Sequence, residues 1–333
     1  MKALRSIVFA MAALLAACSG QKEEAAPAAK GDGGRTTIRF ATDWRAQAEH
    51  GGFYQALASG EYARRGLDVQ IVQGGPGVNV PQLLASRAVD MGMGSNSFIV
   101  MNLANEGAPV KAVAAFMQKD PQVLMAHPGT GAERIADLKG RPILLSDASV
   151  SAFWVWLKAR YGFTDDQVRK YTFNPAPFLA DKRAVQQGYV TSEPYVIEKQ
   201  AGFAPKVFLL ADEGYPGYAT MVLAHDDLIA KNSAAVQAFV EASAKGWRDY
   251  LYGDPSAADA LIRRDNPEMG QDVLDQARAK MKSYRIVEGD EGLAVGAMTD
   301  ARWIAFADMA KGQGVYPASL DPKRAYTLQF APK

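Results

Sequence analysis

The chain contains 333 residues, of which 48% are hydrophobic and 22% are charged, and its formal net charge is +1. This length suffices for two domains of ordinary size, each with its own hydrophobic core. The near-neutral charge argues against a large nucleic-acid interface, so we expect no nucleic-acid partner. After residue 20, no apolar run reaches the roughly 18 residues that a membrane-spanning helix needs.

The first 18 residues have the pattern of an export signal. Lys2 and Arg5 precede an apolar stretch from Ile7 to Leu15, and the tetrapeptide Leu15-Ala16-Ala17-Cys18 follows. This tetrapeptide resembles the lipobox of bacterial lipoproteins, which implies cleavage before Cys18 and lipidation of its sulfur. We therefore predict a lipoprotein signal peptide at residues 1–17 and a periplasmic protein, anchored to the membrane only through lipidated Cys18. The alternative is an ordinary secretory signal that contains a cysteine by chance.

Residues 18–35 are rich in Ala, Glu, Lys, Pro and Gly, a composition that predicts a flexible tether. Cys18 is the only cysteine of the chain. The domain that follows it has no thiol to pair or oxidise, which suits an exported protein.

Residues 36–126 alternate short apolar strands with helices. Leu67–Val72 alternates apolar and polar residues as a half-buried strand does, and Phe53–Arg65 is a helical pattern that ends at Gly66. The other elements predicted in this part are strands at 38–41, 89–94, 110–118 and 123–126 and a helix at 95–106.

A second α/β unit begins at the turn sequence of residues 127–131. Strands are predicted at 142–146, 171–173, 188–191 and 207–210, and helices at 150–161, 178–187 and 193–200. The apolar run Tyr218–Ala224 would return the chain to the first unit, and helical patterns dominate from Asp226 onward.

This alternation predicts an α/β fold with two lobes, whose mostly parallel sheets are flanked by helices. Lobe 1 would contain residues 36–126 and 222–333, and lobe 2 residues 127–221. A small-molecule ligand is expected in the cleft between the lobes, at the carboxyl ends of strands.

The segment from Asp43 to Tyr54 carries the strongest candidates for ligand contact. It connects a predicted strand to a predicted helix, where α/β sheets present ligand-facing groups. Trp44 offers an apolar ring with a hydrogen-bond donor, and His50 can both donate and accept. The alternatives are a core tryptophan that closes the sheet and a histidine that faces solvent.

Ser95 and Asn96 bring a hydroxyl, an amide and free backbone N–H groups to the start of a predicted helix. Ligand contact and a simple helix cap at Ser95 are both open. The glycine-rich loop 74–79, which ends at Asn79, lacks the Gly-Lys-Ser/Thr ending of a phosphate-binding loop, so we expect no nucleotide chemistry there.

Lobe 2 supplies aromatic residues and a carboxylate. Trp154 and Trp156 lie two positions apart on a predicted helix and cannot share one face, so we expect Trp154 to point inward. Tyr189 and Tyr218 are further candidates for a clamp on a ring, with core packing as the alternative. Glu193 follows a predicted strand, and its alternative role is a solvated charge at a helix start.

The spacing Asp43-Trp44-x5-His50-x-Gly52-x-Tyr54-x-Ala56 resembles the opening motif of the thiamine-pyrimidine-precursor binding proteins. Their superfamily also contains the taurine-, alkanesulfonate- and nitrate-binding components of ABC importers, and the stretches 88–95 and 187–194 agree with it. The resemblance implies a periplasmic binding protein fold of the class II type. It also implies a monomer that delivers a small-molecule ligand to ABC permease and ATPase subunits.

The same resemblance implies roles for individual residues. Trp44 would stack on a flat heterocycle, His50 would hydrogen-bond at the cleft, and Glu193 would accept from a ring amino group. The full set of candidate binding residues is Trp44, His50, Tyr54, Asn79, Ser95, Asn96, Gln118, Trp154, Tyr189, Glu193 and Tyr218.

The leading ligand is a thiamine pyrimidine precursor or a similar aromatic heterocycle, with riboflavin and a sulfonate or nitrate as alternatives. With three histidines, no cysteine beyond Cys18 and no Gly-x-Ser-x-Gly motif, the chain offers little for nucleophilic or metal chemistry. We therefore expect no catalytic residue, no metal and no cofactor. Two different functions stay open: an enzyme that resembles the pyrimidine synthases of this fold, and a structural lipoprotein.

Overall fold

The computed structural model describes residues 34–75 and 77–332. The predicted signal peptide, Cys18 and nearly all of the predicted tether therefore lie outside the described residues. Within them, the strands form two five-stranded sheets. No helix in this part of the chain is long and apolar enough to cross a membrane.

The first sheet belongs to lobe 1. Its strands are β1 (Thr36–Ala41), β2 (Leu67–Val72), β3 (Met91–Asn96), β4 (Val110–Met117) and β10 (Ala219–His225). Their order across the sheet is β2-β1-β3-β10-β4. β1 is parallel to β2 and β3, whereas β10 is antiparallel to β3 and β4.

The second sheet belongs to lobe 2. Its strands are β5 (Gln122–Ala126), β6 (Ile143–Leu145), β7 (Val168–Lys170), β8 (Val185–Tyr189) and β9 (Lys206–Leu209). Their order is β7-β6-β8-β5-β9, with β6 parallel to β7 and β8, and β5 antiparallel to β8 and β9.

Helices cover both sheets and form the C-terminal part of lobe 1. In chain order they are α1 (Gly51–Ala58), α2 (Glu61–Arg64), α3 (Val80–Ala85), α4 (Ser97–Asn105), α5 (Asp147–Val150), α6 (Phe153–Tyr161), α7 (Ala176–Ala180), α8 (Glu193–Ala201), α9 (Asp226–Lys231), α10 (Ser233–Tyr252), α11 (Ser256–Asp265), α12 (Gln271–Ser283) and α13 (Asp300–Gly312). The predicted helix 53–65 is divided in two, because Gly60 adopts a left-handed conformation between α1 and α2.

The prediction of a two-lobed α/β fold is confirmed, but the prediction of mostly parallel sheets is wrong. Each sheet has as many antiparallel as parallel pairings. The antiparallel strands are β5 and β10, through which the chain enters one lobe directly from the other. Without a crossover helix, such a strand does not take the direction of its parallel neighbours.

The lobe boundaries also differ from those expected. Residues 122–126 lie in the second sheet as β5, so the chain first crosses between the lobes at 118–121 rather than at 126. It returns at 210–218, because β10 already begins at Ala219 and not at residue 222. We call 118–121 and 210–218 the crossing segments. The runs 110–118 and 123–126 are equally apolar, so hydrophobicity does not indicate which sheet each one joins.

Close packing of α1 on α10 fixes the loop that follows β1. A Cβ atom on Gly52 would lie 2.2 Å from the ring of Trp247, and one on Gly246 would lie 2.1 Å from the carbonyl oxygen of Gly52. The absence of side chains thus lets the two helix backbones approach each other. Phe53 packs beside them against Phe40, and the core of lobe 1 thereby holds the start of α1 against the sheet.

Candidate functional site

A cavity of about 390 Å³, which we call the cleft cavity, is lined by residues of both lobes and of the crossing segments. This volume is within the range of small-molecule sites. Lobe 1 contributes the loop after β1 and the start of α4, and lobe 2 contributes the ends of β6 and β8. The lining residues used below are Asp43, Trp44, Glu49, Ser95, Asn96, Asp120, Gln122, Phe173, Gln187, Tyr189, Glu193 and Tyr215.

Asp43 is held in place by two side chains at the lobe 1 wall. His50 Nε2 lies 3.1 Å from one oxygen of the Asp43 carboxyl group, and the hydroxyl of Ser95 donates to the other. His50 itself is fully buried and does not line the cavity. Its contact with the cleft therefore runs through Asp43.

Two aromatic rings, one from each lobe, meet at the cavity. The ring centroids of Trp44 and Phe173 are 5.4 Å apart, with an angle of 38° between the ring planes. Phe173 is 59% exposed and has a φ of 60°, which is a strained conformation for a bulky residue. A large apolar ring that is exposed and strained contributes little to the core, so its position next to Trp44 points to a role in the cleft.

Glu193 is the first residue of α8 and is held by the backbone at the end of β8. The backbone N–H of Tyr189 donates to the Glu193 carboxylate at 2.7 Å. Gly188 permits this approach, since a Cβ atom there would lie 2.8 Å from the Cβ of Glu193. Burial, with a smaller contribution from the nearby carboxyl group of Glu49, raises the pKa of Glu193 to about 7.

Glu49 connects the two lobes. It lies in lobe 1, and its buried carboxyl group accepts a hydrogen bond from the hydroxyl of Thr191 in lobe 2. Burial raises the pKa of Glu49, and the hydrogen bond from Thr191 opposes that rise.

Asp120 stands in the first crossing segment and is only 1% exposed. Its Oδ1 atom accepts from the backbone N–H of Gln122 at 3.0 Å. Burial raises the pKa of Asp120 to about 7, and burial likewise raises the pKa values of Tyr189 and Tyr215 well above the usual range for tyrosine. These shifts follow from the removal of water around groups that would carry negative charge.

The lining of the cleft cavity is acidic. It contains the four carboxyl groups of Asp43, Glu49, Asp120 and Glu193, and no Lys, Arg or His among residues 34–75 and 77–332 belongs to it. Among the described residues, no group of three or more His, Cys, Asp and Glu side chains could hold a metal ion.

Five of the eleven residues expected in the site line the cavity: Trp44, Ser95, Asn96, Tyr189 and Glu193. Asn96, rather than Ser95, caps α4, because its side chain accepts from the backbone N–H of Phe98 at 3.0 Å. The hydroxyl of Ser95 is thereby free to donate to Asp43.

The other six expected residues do not line the cavity, because each has a structural partner elsewhere. His50 lies behind Asp43, and the hydroxyl of the buried Tyr54 donates to Asp265 at 3.0 Å. Asn79 is exposed and caps α3 by accepting from Gln82 at 3.1 Å. These three residues belong to the structure around the site.

The expectation that Trp154 points into the cleft is wrong. Its ring is fully buried, and its indole N–H donates to Asp165 at 2.8 Å. The side-chain amide of Gln118 is buried and donates to the carbonyl oxygens of Ala115 and Ala297. The hydroxyl of Tyr218 accepts from the backbone N–H of Thr299 at 3.0 Å.

Residues that sequence reasoning missed include Phe173, Asp120 and Gln187. Phe173 precedes the turn sequence Asn174-Pro175, which is the only local signal that it stands outside a regular strand. Asp120 lies between two apolar runs, a pattern that is compatible with a surface loop as well as with a crossing. Gln187 is buried in β8, where its side chain accepts from the backbone N–H of Ser146 at 2.6 Å.

Comparison with known proteins places this site in a family. The model of the NMT1/THI5-like family matches residues 47–258, which is more than half of the chain. The protein belongs to this family. The matched range includes the end of the loop after β1, all of lobe 2 and both crossing segments, and it begins after Asp43 and Trp44.

Relatives of this family member differ in what they bind or make. The riboflavin-binding protein RibY of Chloroflexus aurantiacus is 25% identical over 321 residues, which is 92% of this chain and 90% of RibY. A formylaminopyrimidine-binding protein of Halalkalibacterium halodurans is 25% identical over 253 residues, or 74% and 76% of the two chains. A 4-amino-5-hydroxymethyl-2-methylpyrimidine phosphate synthase of Schizosaccharomyces pombe is 24% identical over 235 residues, or 64% and 65%.

A solved structure has the same fold. The periplasmic aliphatic sulphonate binding protein SsuA of Escherichia coli superposes with a TM-score of 0.66 over 87% of this chain and 92% of SsuA, at 14% sequence identity. This likeness confirms the expected periplasmic binding protein fold.

Proposed function

We propose that this protein is the solute-binding lipoprotein of an ABC importer, which captures a flat nitrogen heterocycle and delivers it to an inner-membrane permease with its ATPase. It would act as a monomer in the periplasm, anchored through Cys18. The observation that carries the proposal is the pair Trp44 and Phe173, because it brings one aromatic ring from each lobe to the same cavity, 5.4 Å apart.

Closure of the two lobes on the ligand would be the working step. Contacts such as those of Trp44 and Glu193 lie in different lobes, so a ligand that touches both is held only when the lobes approach. Such contacts stabilise the closed state relative to the open one and thereby shift the population. The permease would then recognise the closed form.

An aminopyrimidine of the thiamine-precursor type is the leading ligand. The carboxylate of Glu193 can accept from a ring amino group, and Trp44 can stack on the ring. Riboflavin is the second candidate, because the similarity to RibY extends over 92% of the chain. The acidic lining disfavours a sulfonate or nitrate, since no basic side chain lines the cavity to neutralise it.

The test is isothermal titration calorimetry with formylaminopyrimidine, riboflavin and ethanesulfonate. Trp44→Ala should weaken the binding of the heterocycle by about 1–3 kcal/mol, because a stacked ring is lost. Trp303→Phe is the matched control: Trp303 is buried against Tyr326 outside the cavity, so this change should leave affinity unaltered. Equal affinity of Trp44→Ala and the wild type would contradict the proposal.

The enzyme alternative rests on the similarity to the synthase of Schizosaccharomyces pombe. It is tested by mass spectrometry of ligand recovered after prolonged incubation. A binding protein returns the ligand unaltered, whereas a changed mass would favour a synthase-like activity.

A further inference from the structure

The cleft cavity combines four carboxyl groups with aromatic rings. The carboxyl groups differ in how many hydrogen bonds they accept from the protein. Asp43 accepts from His50 and Ser95, and Glu49 accepts from Thr191. These two groups are therefore fixed by the protein itself.

Asp120 is the least satisfied of the four. It is 1% exposed and lines the cavity, but only its Oδ1 atom receives a hydrogen bond, from the backbone of Gln122. Its Oδ2 atom has no hydrogen-bond partner among the described residues. Because Asp120 lines the cavity, this oxygen keeps the capacity to accept a hydrogen bond from a ligand there.

Glu193, on the lobe 2 side of the cavity, also accepts few hydrogen bonds from the protein. The backbone N–H of Tyr189 occupies one of its oxygens. An ionised carboxylate has about four acceptor sites, so Glu193 can take further donors. Among the described residues, no Lys, Arg or His lines the cavity, and neither carboxyl group forms an ion pair. The charge of Arg302, which lies outside this lining, favours the ionised form of Asp120.

The aromatic residues of the same lining suit a cation as well. Trp44, Phe173, Tyr189 and Tyr215 present aromatic rings to the cavity, and the faces of aromatic rings attract positive charge. A cation would give these carboxyl groups a counter-charge, which a neutral or anionic ligand would not.

We infer that the cleft selects positively charged solutes: flat amidine-type or protonated amino-heterocyclic cations, whose charged edge pairs with Asp120 and Glu193 while the ring packs on Trp44. This inference rests on the proposed solute-binding function and adds to it the charge of the ligand. Amidine-type heterocycles would be preferred, because they donate hydrogen bonds along one edge. Imide-type rings such as flavins would be disfavoured, because the carbonyl oxygens that flank their N–H group would be repelled by the carboxylates.

The test compares three probes of similar shape that differ in charge: benzamidine as the cation, benzamide as the neutral isostere and benzenesulfonate as the anion. Binding is measured by isothermal titration calorimetry at neutral pH. Benzamidine should bind at least tenfold more tightly than benzamide, and benzenesulfonate should not bind.

Two variants connect the preference to the proposed residues. Glu193→Gln and Asp120→Asn should each weaken benzamidine binding about tenfold and weaken benzamide binding much less, so that the preference for the cation falls. Glu198→Gln is the matched control, since Glu198 is exposed on the same helix as Glu193. If one of the two variants does not fold, the other still tests the inference.

The outcomes distinguish this inference from the proposed function. Equal binding of benzamide and benzamidine, or tighter binding of benzenesulfonate, would overturn the charge preference but leave a solute-binding protein. No binding of any probe, together with no binding of the heterocycles, would overturn both.

Discussion

Two cavities meet at the crossing segments, and they differ in whether basic side chains line them beside the carboxyl groups. Tyr215 lines both the cleft cavity and a second cavity of about 580 Å³, which we call the crossover cavity. In the crossover cavity, Lys119 lies 2.9 Å from Asp212 and 2.8 Å from Asp290. In the part of the chain that the structure describes, no basic residue lines the cleft cavity beside its carboxyl groups.

The pKa of one carboxyl group in the crossover cavity and the pKa values of two in the cleft cavity move in opposite directions. The hydrogen bond from Lys119 lowers the pKa of Asp290, whereas burial raises the pKa of Asp120 and of Glu193 to about 7. The crossover cavity is the larger of the two, and the basic residues Lys119 and Arg302 line it together with its carboxyl groups. Among the described residues, a lining that has carboxyl groups of raised pKa and no basic side chain, rather than a large volume, therefore distinguishes the candidate binding site.

Arg302 lies at the crossover cavity, and its substitution should have the largest effect on the stability of the fold. Its guanidinium donates to the carbonyl oxygens of Gln118, Pro216 and Gly217, which belong to both crossing segments, and it lies 4.2 Å from the ring centroid of Tyr218. Arg302→Met should lower the free energy of unfolding by about 3–5 kcal/mol, because three carbonyl groups lose a charged donor. Urea denaturation measures this loss.

The control for this prediction is Arg134→Met. The side chain of Arg134 is 79% exposed and pairs with Asp137 on the surface, so its loss should cost under about 1 kcal/mol. Equal effects of the two substitutions would mean that Arg302 does not hold the crossing segments together.

Glu193 lies at the cleft cavity, and its raised pKa is tested through the pH dependence of stability. Its pKa in the folded protein is about 7, above the usual value of 4.5, so between these values the folded state binds more protons than the unfolded state. The free energy of unfolding of the ligand-free protein should therefore fall as the pH rises from 4.5 to 7. Glu193→Gln should remove roughly 2–3 kcal/mol of this fall.

The measurement is a series of urea denaturations between pH 4.5 and pH 8, spanning the shift of Glu193. Glu198→Gln, on the exposed side of α8, should show the same pH profile as the wild type. If Glu193→Gln also follows the wild-type profile, the pKa of Glu193 is not raised in the folded protein.

The sequence is sufficient to predict site residues that directly follow a strand. It is not sufficient to predict those that reach the cavity only because of where the chain crosses between the lobes. Trp44 and Glu193 lie where a strand meets a helix, so local pattern alone brings them to the cleft. Asp120 reaches the cavity only because β5 joins the second sheet, and neighbouring apolar runs do not encode that choice. Trp154 fails for a related reason: spacing along a helix does not indicate which face meets the core.

Phe173 offers the smallest effect and the finest distinction between stability and binding. Because its φ of 60° is unfavourable for a bulky residue and its side chain is 59% exposed, it contributes little to folding. Asparagine tolerates this conformation better, so Phe173→Asn should raise the free energy of unfolding by about 0.5–1 kcal/mol while weakening heterocycle binding. Thermal denaturation and titration calorimetry on the same preparation measure both quantities. If the variant binds as tightly as the wild type, Phe173 is a surface residue without a role in binding. A gain in stability together with a loss of affinity would mean that the cleft retains a strained ring for its ligand.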